Sequence, residues 1–393
     1  MHELALPLLV GLIIVALAFD FLNGLHDAAN SIATVVGTRL LKPVWAVAFA
    51  AFFNFAAYFL ALKWPELHKD ADTIGKGLID KDLITPAVVF GALVGAMFWN
   101  IVTWIKGIPS SSSHALVGGI IGAGVAHASV GAIQWAGLNK TLIAIVLSPL
   151  LGLVLTMTIM LATSWMGVRA SSRGAEKTFR GLHLVSAGAY SLGHGLNDAQ
   201  KTMGIITVLL YSTGHLHGEF HVPHWVALSC YVAIGLGTMT GGWRIIETMG
   251  TRITKLDQHQ GFSASAGGSI MLFAASYLGI PVSTTHTITG CVIGAGAARR
   301  ASAVRWGIAR SVMVAWIITI PASATVAALF YWLISGYAAR ALLATAVLAL
   351  VGFAIFAMRE FKAATTARGR LGGAVAAVGF IVAAILVAYG AIS

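Results

Sequence analysis

The sequence contains few charged residues. Only 10% of its 393 residues are Asp, Glu, Lys or Arg, whereas a soluble domain contains about 25%. A soluble chain of this length would lack the charges needed to cover its surface. The hydrophobic fraction is 58% and the mean hydropathy is +0.85. This composition excludes soluble, disordered and collagen-like proteins and indicates a multi-pass membrane protein.

Cysteine and acidic residues are also scarce. The two cysteines, Cys230 and Cys291, lie in apolar stretches, which excludes a disulfide framework. There are 14 acidic residues against 25 Lys and Arg, giving a net charge of +11. The basic residues cluster in short loops, as on the inner side of membrane proteins, so the charge does not indicate a nucleic-acid partner. We expect the chain to lie in the lipid bilayer of the inner (plasma) membrane.

Apolar stretches follow one another along the whole chain. A membrane-spanning helix needs about 20 mostly apolar residues. Such stretches, some short or interrupted, fall at 5–38, 44–62, 86–105, 114–128, 141–165, 183–211, 225–243, 264–280, 285–298, 308–334, 341–358 and 372–391. The sequence therefore predicts an all-α polytopic membrane protein with about twelve transmembrane segments.

Two of these regions are interrupted by proline. Pro109 divides the stretch 86–128, and Pro281 lies near the middle of 264–298. The charges of the flanking loops place both ends of 264–298 inside and both ends of 86–128 outside. We therefore predict two re-entrant-like helical hairpins that enter the membrane from opposite sides.

Two motifs occur twice in the chain. Gly-Leu-His-Asp-Ala at 24–28 recurs as Gly-Leu-Asn-Asp-Ala at 195–199, an offset of 171 residues, and the Gly-Ile-Pro motif at 107–114 recurs at 279–286, an offset of 172 residues. Loops after corresponding segments are predicted on opposite sides, so the two halves are predicted to be inverted. Inverted repeats with broken helices are typical of secondary transporters, whose sites lie at the repeat interface.

The repeat predicts how the chain is divided. We expect a first inverted repeat at 1–165, a cytoplasmic connecting loop at 166–182, a second inverted repeat at 183–334 and two C-terminal transmembrane helices at 335–393.

Asp27 and Asp198 lie inside apolar segments, at the same place in each half. A charge at the bilayer centre costs about 2.5–3.5 kcal/mol on insertion scales, which favours a functional role over a structural ion pair or helix cap. Asn30 and Lys201 follow three residues later, on the same helix faces. A proton needs a titratable carboxylate and sodium binds oxygen ligands, so we predict these four residues for ion coupling. Asp20 is expected near the outer entrance and is given no role.

Small hydroxyl residues follow each Gly-Ile-Pro break. Hydroxyl and backbone N–H groups at a helix N-terminus form an anion site, although one such residue could simply cap the helix. Four hydroxyl residues at 110–113 and three at 283–285 exceed what a cap needs. We therefore predict that two helix N-termini meet around a compact oxyanion. For His114 and His286, which close the motifs, both packing and proton transfer stay open.

Together the paired motifs resemble the inorganic phosphate transporter (PiT) family, most closely its bacterial low-affinity, proton-coupled branch. The resemblance covers nearly the whole chain. It implies a symporter that imports inorganic phosphate, without a cofactor, in a dimeric inverted-repeat fold. It also implies coupling cations near the two aspartates and, in some members, phosphate carried as a neutral complex with a divalent metal. The phosphate contacts predicted on this basis are Ser111, Ser112, Ser113, Ser283, Thr284, Thr285, Asn197 and Gln200.

One departure from the family pattern bears on the coupling ion. Sodium-coupled members resemble Asn-Asp-x-x-Asn in both halves, whereas this chain has His26 before Asp27 and Lys201 after Asp198. An ammonium group beside Asp198 would mimic a bound cation and repel a real one. The sequence therefore favours protons, with a sodium-coupled phosphate or sulfate symporter as the alternative.

An enzyme and a channel are the rival classes of protein. An intramembrane serine hydrolase would need an activated serine, but no Gly-x-Ser-x-Gly elbow surrounds these serines. An anion channel would need no titratable pair. Duplication of every candidate group suits a transporter with two-sided access, so we do not expect an enzyme. The histidines of 215–224 are irregularly spaced and indicate a metal site only weakly, so any bound metal stays unknown.

Overall fold

The computed structural model describes residues 6–64, 77–80, 83–167, 172–216 and 221–335. Apart from an isolated bridge between Ile79 and Ile133, the regular structure in these ranges is helical. The α-helices are α1 (Leu6–Gly37), α2 (Pro43–Lys63), α3 (Pro86–Lys106), α4 (Ser112–Ala128), α5 (Trp135–Gly167), α6 (Ser172–Ser212), α7 (His224–Thr240), α8 (Trp243–Glu247), α9 (Gln258–Leu278), α10 (Thr284–Arg299) and α11 (Trp306–Ser335). The predicted all-α fold is confirmed. The two helices predicted C-terminal of residue 335 lie outside the described residues.

Several helices are long and apolar enough to cross a membrane. Among the described residues, α1, α2, α3, α5 and α11 qualify, and a sixth span results if α7 and the helical segment 243–252, bent by 67° from it, are counted together. The exposed surfaces of α5 and α11 carry large apolar side chains, including Trp165 and Ile317. Such faces suit lipid, which supports the prediction of a membrane protein.

The helices are interrupted around Pro109 and Pro281, as the sequence predicts. α3 ends at Gly107 with φ 65° and α9 ends at Gly279 with φ 62°. This left-handed backbone favours glycine because a side chain would be strained there. The next helices begin at Ser112 and Thr284, two residues and one residue before the apolar stretches predicted at 114–128 and 285–298. With 17 and 16 residues, α4 and α10 are about 25 Å long, shorter than a hydrocarbon core of about 30 Å.

Corresponding helices make corresponding contacts. α1 packs against α7, and α6 packs against α2; α4 packs against α3 and α11, and α10 packs against α9 and α5. A Cβ added at Gly24 of α1 would lie 2.2 Å from the carbonyl oxygen of Ile234, and one added at Gly195 of α6 would lie 2.5 Å from that of Asn54. The glycines that precede the two aspartates therefore allow both helices to cross a partner at close range.

The start of α6 differs from the sequence prediction. The connecting loop was expected at 166–182, but α6 begins at Ser172, so residues 172–182 are helical. This segment contains Arg173, Glu176, Lys177 and Arg180. The basic charges of this segment indicate a loop, but Arg, Glu and Lys are all good helix formers. They extend α6 to 41 residues.

Candidate functional site

Asp27 and Asp198, far apart in sequence, meet through one side chain. The hydroxyl of Thr284, the first residue of α10, lies 3.5 Å from Oδ2 of Asp27 on α1 and 3.1 Å from Oδ2 of Asp198 on α6. All three residues are buried. The buried cluster around them, which also includes the start of α4, is called the central site below.

Asp27 accepts hydrogen bonds from both Gly-Ile-Pro motifs at 107–114 and 279–286, called the Ser/Thr motifs below. Ser112 Oγ donates to Oδ2 at 2.9 Å, and Thr285 Oγ1 lies 3.4 Å from the same oxygen. His26 Nδ1 lies 2.8 Å from Oδ1. Because these donors come from α1, α4 and α10, the carboxylate of Asp27 holds the starts of α4 and α10 together.

Asp198 is paired with a lysine. Lys201 Nζ lies 2.5 Å from Oδ1 of Asp198, so the predicted ion pair is present. The same ammonium donates to Ser113 Oγ at 2.6 Å and to the carbonyl of Val282 at 3.2 Å. Lys201 therefore lies between the two Ser/Thr motifs and contacts oxygen atoms from both.

The asparagines keep part of their hydrogen-bonding capacity free. Asn30 Nδ2 donates to Thr285 Oγ1 at 3.0 Å, and Asn197 Nδ2 donates to Ser276 Oγ at 2.6 Å. The Oδ1 atoms of both asparagines are buried without a hydrogen-bond partner. Gln200 is also fully buried. The unpartnered Oδ1 atoms of Asn30 and Asn197 can accept a hydrogen bond from a ligand or coordinate a cation.

Two of the predicted anion-binding hydroxyls act as helix caps. Ser111 Oγ accepts the backbone N–H of His114 at 3.2 Å, and Ser283 Oγ accepts that of His286 at 3.1 Å. The capping interpretation therefore describes these two serines, which in turn fix where α4 and α10 begin. The hydroxyl groups of the residues that follow, Ser112, Ser113, Thr284 and Thr285, face the charged groups of the central site.

His114 and His286 pack against each other. Their ring centroids are 4.3 Å apart in an edge-to-face arrangement, and the ring of His286 stacks at 3.7 Å on Trp316 of α11. These contacts support the packing interpretation of both histidines. Nδ1 of His114 and Nε2 of His286 nevertheless lack hydrogen-bond partners.

His194 is a further candidate residue, which the repeated motifs do not indicate. It lies one turn before Asp198 on α6, with Nε2 at 3.1 Å from Oδ2 of that aspartate. Its Nδ1 lies 3.1 Å from Oδ1 of Asn54 on α2. The i, i+4 spacing from Asp198 was visible in the sequence and could have identified it.

One group of side chains in the described residues could hold a metal ion. Ligand atoms of Asp27, His194 and Asp198 all lie within 4.8 Å of one another. Two carboxylates and an imidazole form a donor set that suits a divalent cation. The ammonium of Lys201, 2.5 Å from Asp198, opposes a cation on that side. Of the histidines in the outer loop at 215–224, the structure describes His215, His221 and His224. None of these three belongs to such a group.

Comparisons with known proteins extend these observations. The sequence matches the phosphate transporter family over residues 23–327. A Rhizobium meliloti (strain 1021) protein named probable low-affinity inorganic phosphate transporter is 61% identical over 84% of this chain and 97% of its own length. A Bacillus subtilis (strain 168) protein of the same name is 40% identical over 85% of this chain and 99% of its own length.

A solved structure shares the fold. It is described as the sodium-dependent phosphate transporter and aligns with a TM-score of 0.74 over 84% of this chain and 100% of that chain. At 23% identity this likeness concerns the fold. Family match and relatives agree with the paired motifs and apolar helices, and this membrane protein therefore belongs to the phosphate transporter family, whose members are transporters and not enzymes.

Proposed function

We propose that the chain is a secondary active symporter that imports inorganic phosphate together with protons. The observation that carries this proposal is the connection of both buried aspartates to the starts of α4 and α10 through Ser112, Thr284 and Thr285. The names of its relatives in Rhizobium meliloti and Bacillus subtilis support phosphate as the cargo.

The central site offers donors for an anion. The backbone N–H groups at the starts of two helices attract negative charge. The hydroxyl groups of Ser112, Ser113, Thr284 and Thr285 and the ammonium of Lys201 add side-chain donors. We propose that phosphate binds between these groups, with Asn197 and Gln200 at its edge and Ser111 and Ser283 holding the helix ends in place.

Competition for the same donors supplies a coupling mechanism. In the present arrangement Ser112 and Thr285 donate to the carboxylate of Asp27. An ionised carboxylate only accepts hydrogen bonds, whereas a protonated one also donates. Protonation of Asp27 therefore turns one of its oxygens into a donor, weakens its hold on the two hydroxyl groups and removes a negative charge beside the phosphate. Proton and phosphate binding then favour each other, which is the requirement for symport.

Asp27 and Asp198 have different partners, and this difference bears on which ion is coupled to transport. Asp198 is neutralised by Lys201 at 2.5 Å, whereas Asn30 offers Asp27 no charge. We propose that Lys201 permanently fills the cation position of the second half. Sodium coupling is the alternative, because the unpartnered Oδ1 atoms of Asn30 and Asn197 are suitable ligands for it. A neutral complex of phosphate with a divalent metal at Asp27, His194 and Asp198 is an alternative form of the cargo.

We propose an inverted-repeat architecture around this site. The exchange of partners between halves, with α4 against α11 and α10 against α5, supports it. The short helices α4 and α10 support two re-entrant-like hairpins. We further propose two C-terminal spans at 335–393 and a homodimer. We also propose a location in the inner membrane, which the bacterial source of the relatives favours.

Uptake of labelled phosphate into proteoliposomes tests cargo and coupling together. Three conditions are compared at the same internal pH: an inward proton gradient with choline as the external cation, an inward sodium gradient without a proton gradient, and neither. We expect accumulation only with the proton gradient, and inhibition by unlabelled phosphate but not by sulfate. Accumulation only with the sodium gradient would overturn proton coupling, and labelled sulfate uptake matching that of phosphate would overturn the cargo.

A further inference from the structure

Asp20 is a third acidic residue buried in the helical core. It lies on α1 seven residues before Asp27. The sequence predicts it near the outer entrance, but its side chain is fully buried, with a relative exposure of 0%. Residues seven apart lie on the same face of a helix, about 10 Å apart along its axis. Asn23 lies between them, and Ser112 Oγ is within hydrogen-bonding distance of both Asn23 Oδ1, at 2.6 Å, and Asp27 Oδ2, at 2.9 Å. Asp20 therefore extends the polar face of α1 beyond the central site.

The carboxyl group of Asp20 differs from those of Asp27 and Asp198 in its partners. Both of its oxygens lack a hydrogen bond of normal geometry, whereas the other two carboxylates have several donors each. A buried carboxylate ion without well-placed donors is far more costly than the neutral acid. Asp20 therefore holds its proton in this conformation.

The surroundings of Asp20 allow it to lose that proton after a small movement. Thr202 of α6 and Cys230 and Tyr231 of α7 are its neighbours. The hydroxyl groups of Thr202 and Tyr231 also lack partners and can donate to an ionised carboxylate. The titratable and charged groups that face Asp20 are Asp198 and Lys201 on α6 and Cys230 and Tyr231 on α7.

The corresponding position in the second half carries no acid. At the repeat offset of 171 residues Asp20 corresponds to Ser191, whose hydroxyl donates to the carbonyl of Ala187 in the same helix at 2.9 Å. The repeated helix therefore forms with a serine at this position, and the acid belongs to the first half alone. This difference between the halves adds to those at His26 and Lys201, whose equivalents at the repeat offset are Asn197 and Asn30.

We propose that Asp20 is a second proton-binding residue of the transport cycle, protonated in the closed conformation and deprotonated when the site opens. Its O–H bond forms with a proton taken from water on one side of the membrane and breaks by release of that proton to water on the other. The inference rests on the proposed proton coupling. It adds a proton site that is separate from the phosphate-binding hydroxyl groups.

The test uses the full chain in proteoliposomes with the wild type, Asp20→Asn, Asp20→Glu and, as a matched control, Ser191→Ala. Asn resembles the neutral acid but cannot lose a proton. Asp20→Asn should retain exchange of internal for external labelled phosphate to within about twofold, because exchange needs no net proton release. It should lose accumulation driven by a proton gradient. Asp20→Glu should restore much of that accumulation, and Ser191→Ala should behave as the wild type.

A second measurement does not depend on transport. Infrared difference spectra, recorded on adding inorganic phosphate, should show a change in the carbonyl band of a protonated carboxyl group. That change should shift in Asp20→Glu and be missing in Asp20→Asn. Wild-type accumulation by Asp20→Asn, or a band unaffected by either substitution, would overturn the inference. A wild type that ignores proton gradients but shows the Asp20 band would overturn only the proposed coupling.

Discussion

At the scale of single residues, Thr284 shows how the two halves depend on each other. Its hydroxyl lies within 3.5 Å of both aspartates and also accepts from Asn30 Nδ2 at 3.3 Å. A hydroxyl both donates and accepts, so it can exchange one partner for another without being left unsatisfied. This versatility suits the proposed exchange, in which Thr284 contacts the two carboxylates in one state and phosphate in another.

The hydroxyl groups of Ser112 and Thr284 can be tested by removal. We expect Ser112→Ala and Thr284→Ala each to weaken phosphate binding about 10- to 100-fold, because a lost hydrogen bond to a charged group is worth about 1.5–3 kcal/mol. Isothermal titration of the purified protein with phosphate measures this. Thr158→Ala is the control, since its hydroxyl donates to a carbonyl of its own helix on an exposed surface. Unchanged affinity in both site variants would reduce these hydroxyl groups to structural roles.

The proposed role of Lys201 as a built-in cation can be tested more specifically, because its ammonium group lies within a ring of oxygen atoms. Asp198 Oδ1, Ser113 Oγ and the Val282 carbonyl lie 2.5, 2.6 and 3.2 Å from Nζ. Removing one partner of a buried ion pair costs about 3–5 kcal/mol. We expect Lys201→Asn to lose phosphate uptake in sodium-free medium and to regain part of it when sodium enters that ring.

Uptake by Lys201→Asn is measured in choline and in sodium at one pH, with protein amount and monodispersity checked against the wild type. Full uptake in choline would contradict the role of Lys201 as a built-in cation.

At this scale the sequence indicates candidate residues where a residue type is costly outside a functional setting. Asp27 and Asp198 stood out because a charge in an apolar segment is expensive to keep unless it serves a function. The sequence is less informative where the same residue type serves several purposes. Ser111 caps α4 while Ser112 faces Asp27, and only the position at which the helix begins separates the two roles. Asp20 was misplaced because the depth of a residue along a long helix depends on packing.

At the scale of helices, the crossings of α1 with α7 and of α6 with α2 set the position of the aspartates. Gly24 and Gly195 allow these close approaches, three residues before Asp27 and Asp198. The atoms that an added Cβ would meet are backbone carbonyl oxygens, at 2.2 and 2.5 Å. Backbone cannot turn aside as a side chain can, so the helices would have to separate.

We therefore expect Gly24→Ala and Gly195→Ala to lower the thermal unfolding midpoint of the purified protein, because overpacking of this kind costs about 1–3 kcal/mol. Gly11→Ala is the matched control on α1, where an added Cβ meets nothing within 4 Å and alanine is the better helix former. A midpoint for Gly24→Ala equal to or above that of Gly11→Ala would show that the crossing tolerates a methyl group.

Helix breaks were easier to predict than helix starts. Gly-Ile-Pro interrupts a helix through the chemistry of its own residues, since glycine adopts φ 65° at Gly107 and proline follows. The start of α6 at Ser172 depends on a basic segment with good helix formers. Charge patterns predict the side of a membrane but do not distinguish a loop from a helix that projects beyond it.

At the scale of the whole molecule, the central site is closed. Of the residues proposed to bind phosphate or ions, Ser113 is the most exposed, at 7%. A transporter must open such a site to each side in turn, and secondary transporters built from inverted repeats do so by moving one repeat or bundle against the other. The hydrogen bonds of Asp27 and Asp198 to the starts of α4 and α10 are the contacts that must change during this movement.

Proton-driven transport of phosphate through the paired aspartates is tested most directly by one measurement. Labelled phosphate is supplied to sodium-free proteoliposomes under an inward proton gradient, with the wild type, Asp27→Asn and Asp198→Asn reconstituted at equal density. Internal phosphate should rise above the external concentration with the wild type, collapse on addition of a protonophore, and stay at or below the external concentration with either variant. Accumulation by either variant at the wild-type rate, or wild-type accumulation that a protonophore leaves unchanged, would contradict it.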